Sequence, residues 1–361
     1  MLSVYPPLPL TVWLRSSRRP LPFPLEEPHC RLYAQARHGL LAALRSRGVG
    51  PGDEILMPAY HHGSEVEAVR RAGMSCRFYD VGHTVEPDES KLRLLLGRRV
   101  RALYLIHYLG LPQNPERWRR FCDAHELFLV EDAAQSWLSA SGGRPVGSHG
   151  DVAIYCLYKS YGLPDGAAVV ARPPAADPTP PPLKGVRTTV LLHRRWLQQR
   201  LRLPTSASDG GDAPETPERD FAVGDRGLPP SRAAMAALPR VVATNAAARR
   251  RSNFAYLDAR LGEHRVAAFP QLTNEASPLA YPVTTPDKPG LLQHLLEHGV
   301  DRRGRMWETP HPELPVDEFP GAAGLRATVV GLPVHQELTR RELERIAAAA
   351  EAGLRGANSG R

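Results

Sequence analysis

Lysine is almost missing from this chain. Of 46 basic side chains only Lys91, Lys159, Lys184 and Lys288 are not arginine, so a lysine in an apolar setting needs a reason other than positive charge. Cysteine is sparse as well. Cys30, Cys76, Cys122 and Cys156 are scattered without CxxC spacing, which argues against a zinc site or a disulfide framework and fits a reducing, cytoplasmic compartment. No metal is expected. No apolar run approaches the length of a membrane-spanning helix. The opening MLSVYPPLPLTVWLRSSRR is apolar, but prolines interrupt it and the charges follow it, which is not the order of a secretory signal. Internal repeats are absent. Aromatics make up 7% of the chain, and none alternate with the arginine groups at 249–251 and at Arg302, Arg303 and Arg305 as a nucleic-acid stacking platform requires. The net charge of +8 therefore reads as solvated helix faces, and neither nucleic acid nor membrane is expected as a partner.

What is present is a chain of 361 residues with 42% hydrophobic content, enough for one large domain and a smaller companion. Helical spacing runs from Leu32 to Arg47, with Gly48 as its stop. The glycines of GVGPGDEILMP follow a helix and lead into a strand, the reverse of a dinucleotide fingerprint. Strands are expected at Glu54 to Met57, Ser75 to Tyr79, Val100 to His107, Leu127 to Val130, Val152 to Tyr158 and Ala167 to Val170. Helices are expected at Ser64 to Gly73, Glu89 to Leu96 and Pro115 to His125. This alternation predicts an α/β fold, a mostly parallel sheet covered by helices, with ligands beyond the carboxyl ends of the strands.

After Arg172 the composition changes. Residues 173–230 read as loop-rich, with a small polar stretch at 204–220. A long helix from Ser231 to about Leu261 follows, then strand-like PLAYPVTT, a helix from Pro289 to Gly299, TVVGLPVH and a final helix from Thr339 to Gly353. The expected division is a large domain over 1–235 and a small α+β domain with the interdomain helix over 236–361.

Asp132 and Lys159 both fall at strand ends, and two readings compete. One is a structural ion pair, since buried lysine is costly unless paired. The other is chemical: a desolvated lysine becomes a nucleophile toward a carbonyl, and pyridoxal phosphate is a carbonyl cofactor that also wants an acid at its ring nitrogen. A helix start near Arg37 suits its phosphate, and His62, between a strand and a helix, suits a flat cover for its ring.

The ordered motifs ARHGLLAALRSRGVGPGDEILMPAY, FYDV, LIHYLGLPQ, VEDAAQSWLSASGGRPVGSHGDVAIYCLYKS and LPDGAAVV resemble the DegT/DnrJ/EryC1/StrS family. RRRSNFAYLDARL and GLPVHQELTRRELERI extend the likeness toward residue 350. The resemblance implies a fold-type I, pyridoxal-phosphate-dependent aminotransferase acting on nucleotide-linked keto-sugars, with glutamate as amino donor. It implies that Lys159 forms the Schiff base, Asp132 pairs with the pyridinium nitrogen, Gln135 bonds near the phenolic oxygen and His62 stacks on the ring. Ala36 and Arg37 take the place of a common Gly-Thr at the phosphate, and Cys156 that of a phosphate-binding serine, so the phosphate cup is rebuilt. A homodimer is implied, the segment from Asp209 to Pro230 reaching the partner's site. A binding homologue without turnover is the alternative; a sugar dehydratase is disfavoured, because such members replace the lysine with histidine.

Overall fold

The computed structural model describes residues 1–17, 20–201, 221–242 and 244–359. Its centre is a seven-stranded sheet of β1 (Cys30–Tyr33), β2 (Glu54–Pro58), β3 (Ser75–Tyr79), β4 (Val100–Ile106), β5 (Phe128–Asp132), β8 (Val152–Cys156) and β9 (Ala167–Ala171). Their order is β1-β9-β8-β5-β4-β2-β3, and only β9 runs against the rest. β2, β4, β5, β8 and β9 are buried along most or all of their length, which explains their continuous apolar sequences. A two-stranded hairpin, β6 (Ala140–Ser141) with β7 (Arg144–Pro145), stands between β5 and β8.

Helices α1 (Ala36–Ser46), α2 (Ser64–Arg71), α3 (Glu89–Leu94) and α4 (Pro115–Ala124) connect the strands. A one-turn α5 (Leu157–Ser160) follows β8, and α6 (Val186–Leu201) follows β9. Beyond them come α7 (Arg232–Val241) and α8 (Ala246–Leu261). The small domain pairs β10 (Ala280–Thr284) antiparallel with β11 (Val329–Pro333), against α9 (Lys288–Glu297), α10 (Pro320–Thr328) and α11 (Arg340–Ser359).

Several expectations need correction. The helix read from Leu32 starts at Ala36, because 30–33 pair with 167–170 as an edge strand. The strand read through Tyr158 stops at Cys156, and Lys159 sits on a helical turn. The single helix from Ser231 to Leu261 is two helices, the second capped by the Asn245 side chain on the Ala248 N–H. Residues 173–230 hold the 16-residue α6. The expected division at 235/236 falls inside α7. Arg250, expected on a solvated face, is 1% exposed.

Candidate active site

The carboxyl ends of β4, β5 and β8 open onto a cavity of about 200 Å³. All seven residues expected at the site, Ala36, Arg37, His62, Asp132, Gln135, Cys156 and Lys159, line it. Asp132 is the last residue of β5 and is buried. Its Oδ1 accepts the Ala134 N–H at 2.9 Å and its Oδ2 accepts the Tyr104 hydroxyl at 2.8 Å. Both donors are neutral. Burial, then the nearby Glu65 carboxylate, push its pKa up to about 6.

Among the described residues no salt bridge joins Asp132 to Lys159, so the structural ion pair does not form. Desolvation does not leave Lys159 with a depressed pKa. Burial acts to lower its pKa, but Cys156, Tyr5, Tyr158 and Asp132 together outweigh it and hold the ammonium well above the ordinary lysine range. Cys156 ends β8, and burial pushes its thiol up, so it offers only a weak neutral donor.

The opposite wall consists of two helix starts. Helices α3, α4, α7, α8 and α9 are capped by Asp88, Asn114, Ser231, Asn245 and Asp287. At α1 and α2, which face the cavity, the residues preceding the helix, Gln35 and Gly63, give no side-chain cap. The first N–H groups of α1 and the Arg37 side chain thus lie at the cavity with the positive end of the helix dipole. At α2, Gly63 has φ 113, which glycine alone adopts without strain. Glu65, a residue the sequence reading missed, accepts the N–H groups of His62 (2.9 Å) and Gly63 (3.1 Å). This fixes the loop that carries His62. Gln135 accepts the Leu109 N–H at 2.7 Å, and no described residue takes its amide N–H.

Below the floor, the fully buried Glu131 accepts from His107 Nε2 (3.0 Å) and from the N–H groups of Gly147 (3.0 Å), His149 (2.8 Å) and Gly150 (2.5 Å). His107 is therefore structural. His311 and His335 are buried away from the cavity as well. Trp307 lines the cavity, whereas His107, His311 and His335 do not. Trp307, Tyr5, His62 and Gln135 also line an adjoining cavity of about 150 Å³ that adds Arg303, Arg305 and Glu308. Tyr5 lies outside the sequence motifs, and Tyr158, within the motif that carries Lys159, was assigned no role there.

A large domain built on this sheet order, with a lysine turn after the antiparallel-flanked strand and a small α+β domain beside it, is the fold of the type I pyridoxal-phosphate-dependent transferases. Aminotransferase TlmJ from Streptoalloteichus hindustanus superposes with TM-score 0.65 at 22% identity, covering 91% of this chain and 86% of that one. DesV from S. venezuelae superposes with TM-score 0.65 at 22% identity, covering 90% and 84%. A further fold match, from Streptococcus pneumoniae, is solved in PLP- and PMP-forms.

Residues 25–176 match the model of the DegT/DnrJ/EryC1/StrS aminotransferase family. Over 145 residues it is 34% identical to dTDP-3-amino-3,4,6-trideoxy-alpha-D-glucose transaminase of Streptomyces venezuelae, covering 37% of each chain. Over 143 residues it is 23% identical to GDP-perosamine synthase of Vibrio cholerae, covering 39% of each. These alignments span less than half the length of the curated relatives.

Proposed function

We propose that the protein is a pyridoxal-phosphate-dependent aminotransferase that moves an amino group from an amino acid, glutamate, to a nucleotide-linked keto-sugar. One observation carries the reading: Lys159, Asp132, Gln135, His62 and Arg37 come from four separate segments and line one cavity.

The residues fit the cofactor. Asp132 is a buried acid with two neutral donors and no described cation in contact, a place for a ring nitrogen that carries a proton. The open start of α1 and Arg37 fit a phosphate. When bound, pyridoxal phosphate supplies a carbonyl and an electron sink. Asp132 holds the proton at the ring nitrogen, with Tyr104 and the Ala134 N–H fixing its carboxylate. His62 would cover the ring face, and the Gln135 amide N–H would be available to the cofactor. Lys159 would be the residue linked to the cofactor, and its amine would carry a proton to and from the substrate carbon. Arg303 and Arg305 in the adjoining cavity suit the anionic part of a substrate.

Purified protein supplied with pyridoxal phosphate is expected to turn yellow and to bleach on adding glutamate. A colourless wild type, or identical colour in Lys159→Ala, sinks the assignment. A second reading, binding without turnover, draws on Cys156 in place of a hydroxyl; colour that no amino donor bleaches identifies it.

A homodimer and a cytoplasmic location belong to the same proposal. The expected partner-reaching segment lies partly outside the described residues, and its described end packs on its own chain. There the Leu228 carbonyl accepts the Ala34 N–H at 2.7 Å, and Asp225 pairs with Arg45 and Arg71. Apolar surface at Leu183, Val186, Val190 and Leu201, 57–63% exposed, supplies a face for a second copy.

A further inference from the structure

The apolar, proline-broken stretch at the start of the sequence is a strap threaded between the two domains. Leu2 pairs with Val300, its N–H on the Gly299 carbonyl and its carbonyl on the Asp301 N–H, both at 2.7 Å. Val4 and Leu8 are buried in separate apolar clusters, the first spanning the sheet and the small domain and the second within the large domain. A Cβ on Gly162 would overlap the Pro7 backbone, so the large domain grips the strap where only glycine leaves room. His193 Nδ1 of α6 meets the Leu8 carbonyl at 3.0 Å. Small domain, lysine-turn loop and α6 thus hold the segment at separate points.

Tyr5 stands between these anchors. Its side chain lines the Lys159 cavity and the arginine-bearing cavity beside it. It also lines a third cavity of about 220 Å³ under the strap, together with Tyr158 and Arg303. The phenol lies within electrostatic reach of the Lys159 amine and of Tyr158. A dipolar oxygen at that place favours the ammonium form of the lysine and fixes its direction. Tyr5 is thus shared by the cavity at the sheet and the one that holds Arg303 and Arg305.

We propose that Tyr5 is a positioning residue of the reaction site, holding the Lys159 amine through its phenol and closing the pocket with its ring. Its bearing on transamination rests on the aminotransferase reading. Its effect on the amine does not.

The test is trace labelling of the cofactor-free protein with acetic anhydride across a pH series, following acetylation of Lys159 by peptide mapping. Tyr5→Phe keeps the ring and the packing. It is expected to lower the pH midpoint of Lys159 labelling by about half a unit or more, with the Lys91 and Lys184 midpoints unmoved. Tyr5→Ala is expected to shift the midpoint in the same direction and to speed the loss of pyridoxal phosphate on dialysis. Wild-type midpoints in both variants overturn the proposal. A wild type that takes no cofactor removes the aminotransferase reading, while the labelling still decides the role of Tyr5.

Discussion

Asp132 carries a cost that its surroundings make measurable. Its folded pKa, about 6, lies above the ordinary 3.8, so the folded state holds that proton more tightly than the unfolded chain does. Stability from this group is present below the ordinary value and is lost as pH rises through about 6. The difference amounts to roughly 3 kcal/mol at neutral pH. Cofactor-free Asp132→Asn should therefore unfold at higher urea than wild type at pH 7.5, with no such advantage near pH 4. Equal advantages at both pH values would contradict the raised pKa. The Asn oxygen retains the Ala134 N–H, and its amide can donate to Tyr104, so little packing is disturbed. Asp132 and Lys159 were legible in the sequence because a charge at the end of an apolar strand has few structural reasons to be there. Glu65 was not, since an acid in HHGSE reads as loop polarity until the N–H groups it gathers are seen. Tyr5 lies outside the family motifs altogether.

At the scale of elements, the strand and helix alternation was legible from apolar periodicity, and its errors share a cause. VAIYCLY is apolar throughout, so nothing local marks the stop after Cys156. The stop has a tertiary anchor: Arg250, from α8, donates to the Ser160 carbonyl at 2.6 Å, the Pro278 carbonyl at 3.1 Å and Gln336 Oε1 at 2.9 Å. Its guanidinium ties the end of α5 to the small domain, and burial brings its pKa down to about 10. A lysine lacks that planar fork. Arg250→Lys should lose about 2–4 kcal/mol in urea unfolding and slow Schiff-base capture of pyridoxal phosphate at Lys159, measured by borohydride trapping. Unchanged trapping would show that the turn holds without the clamp.

For the whole molecule, the sequence reading found two domains and left out what joins them. Arg326, from α10, donates to the carbonyls of Ala59 (2.7 Å), His61 (3.1 Å) and Trp307 (2.6 Å), and with Arg250 and the strap it fastens the small domain over the ends of β2 and β8. Most of these contacts join residues more than 80 positions apart, beyond any local pattern. The apolar face of α6 is the corresponding question for assembly. Wild type is expected to sediment as a dimer, and Val190→Glu as a monomer with unchanged circular dichroism. A monomeric wild type removes the dimer from the proposal.

The scarcity of lysine has a practical side once burial is known. Lys159 lines the cavity and Lys288 is 3% exposed within the small domain, whereas Lys91 and Lys184 are on the surface. Lysine-directed coupling to a sensor chip would thus reach two handles, both within the large domain, and would leave the cavity lysine and the small domain unmodified.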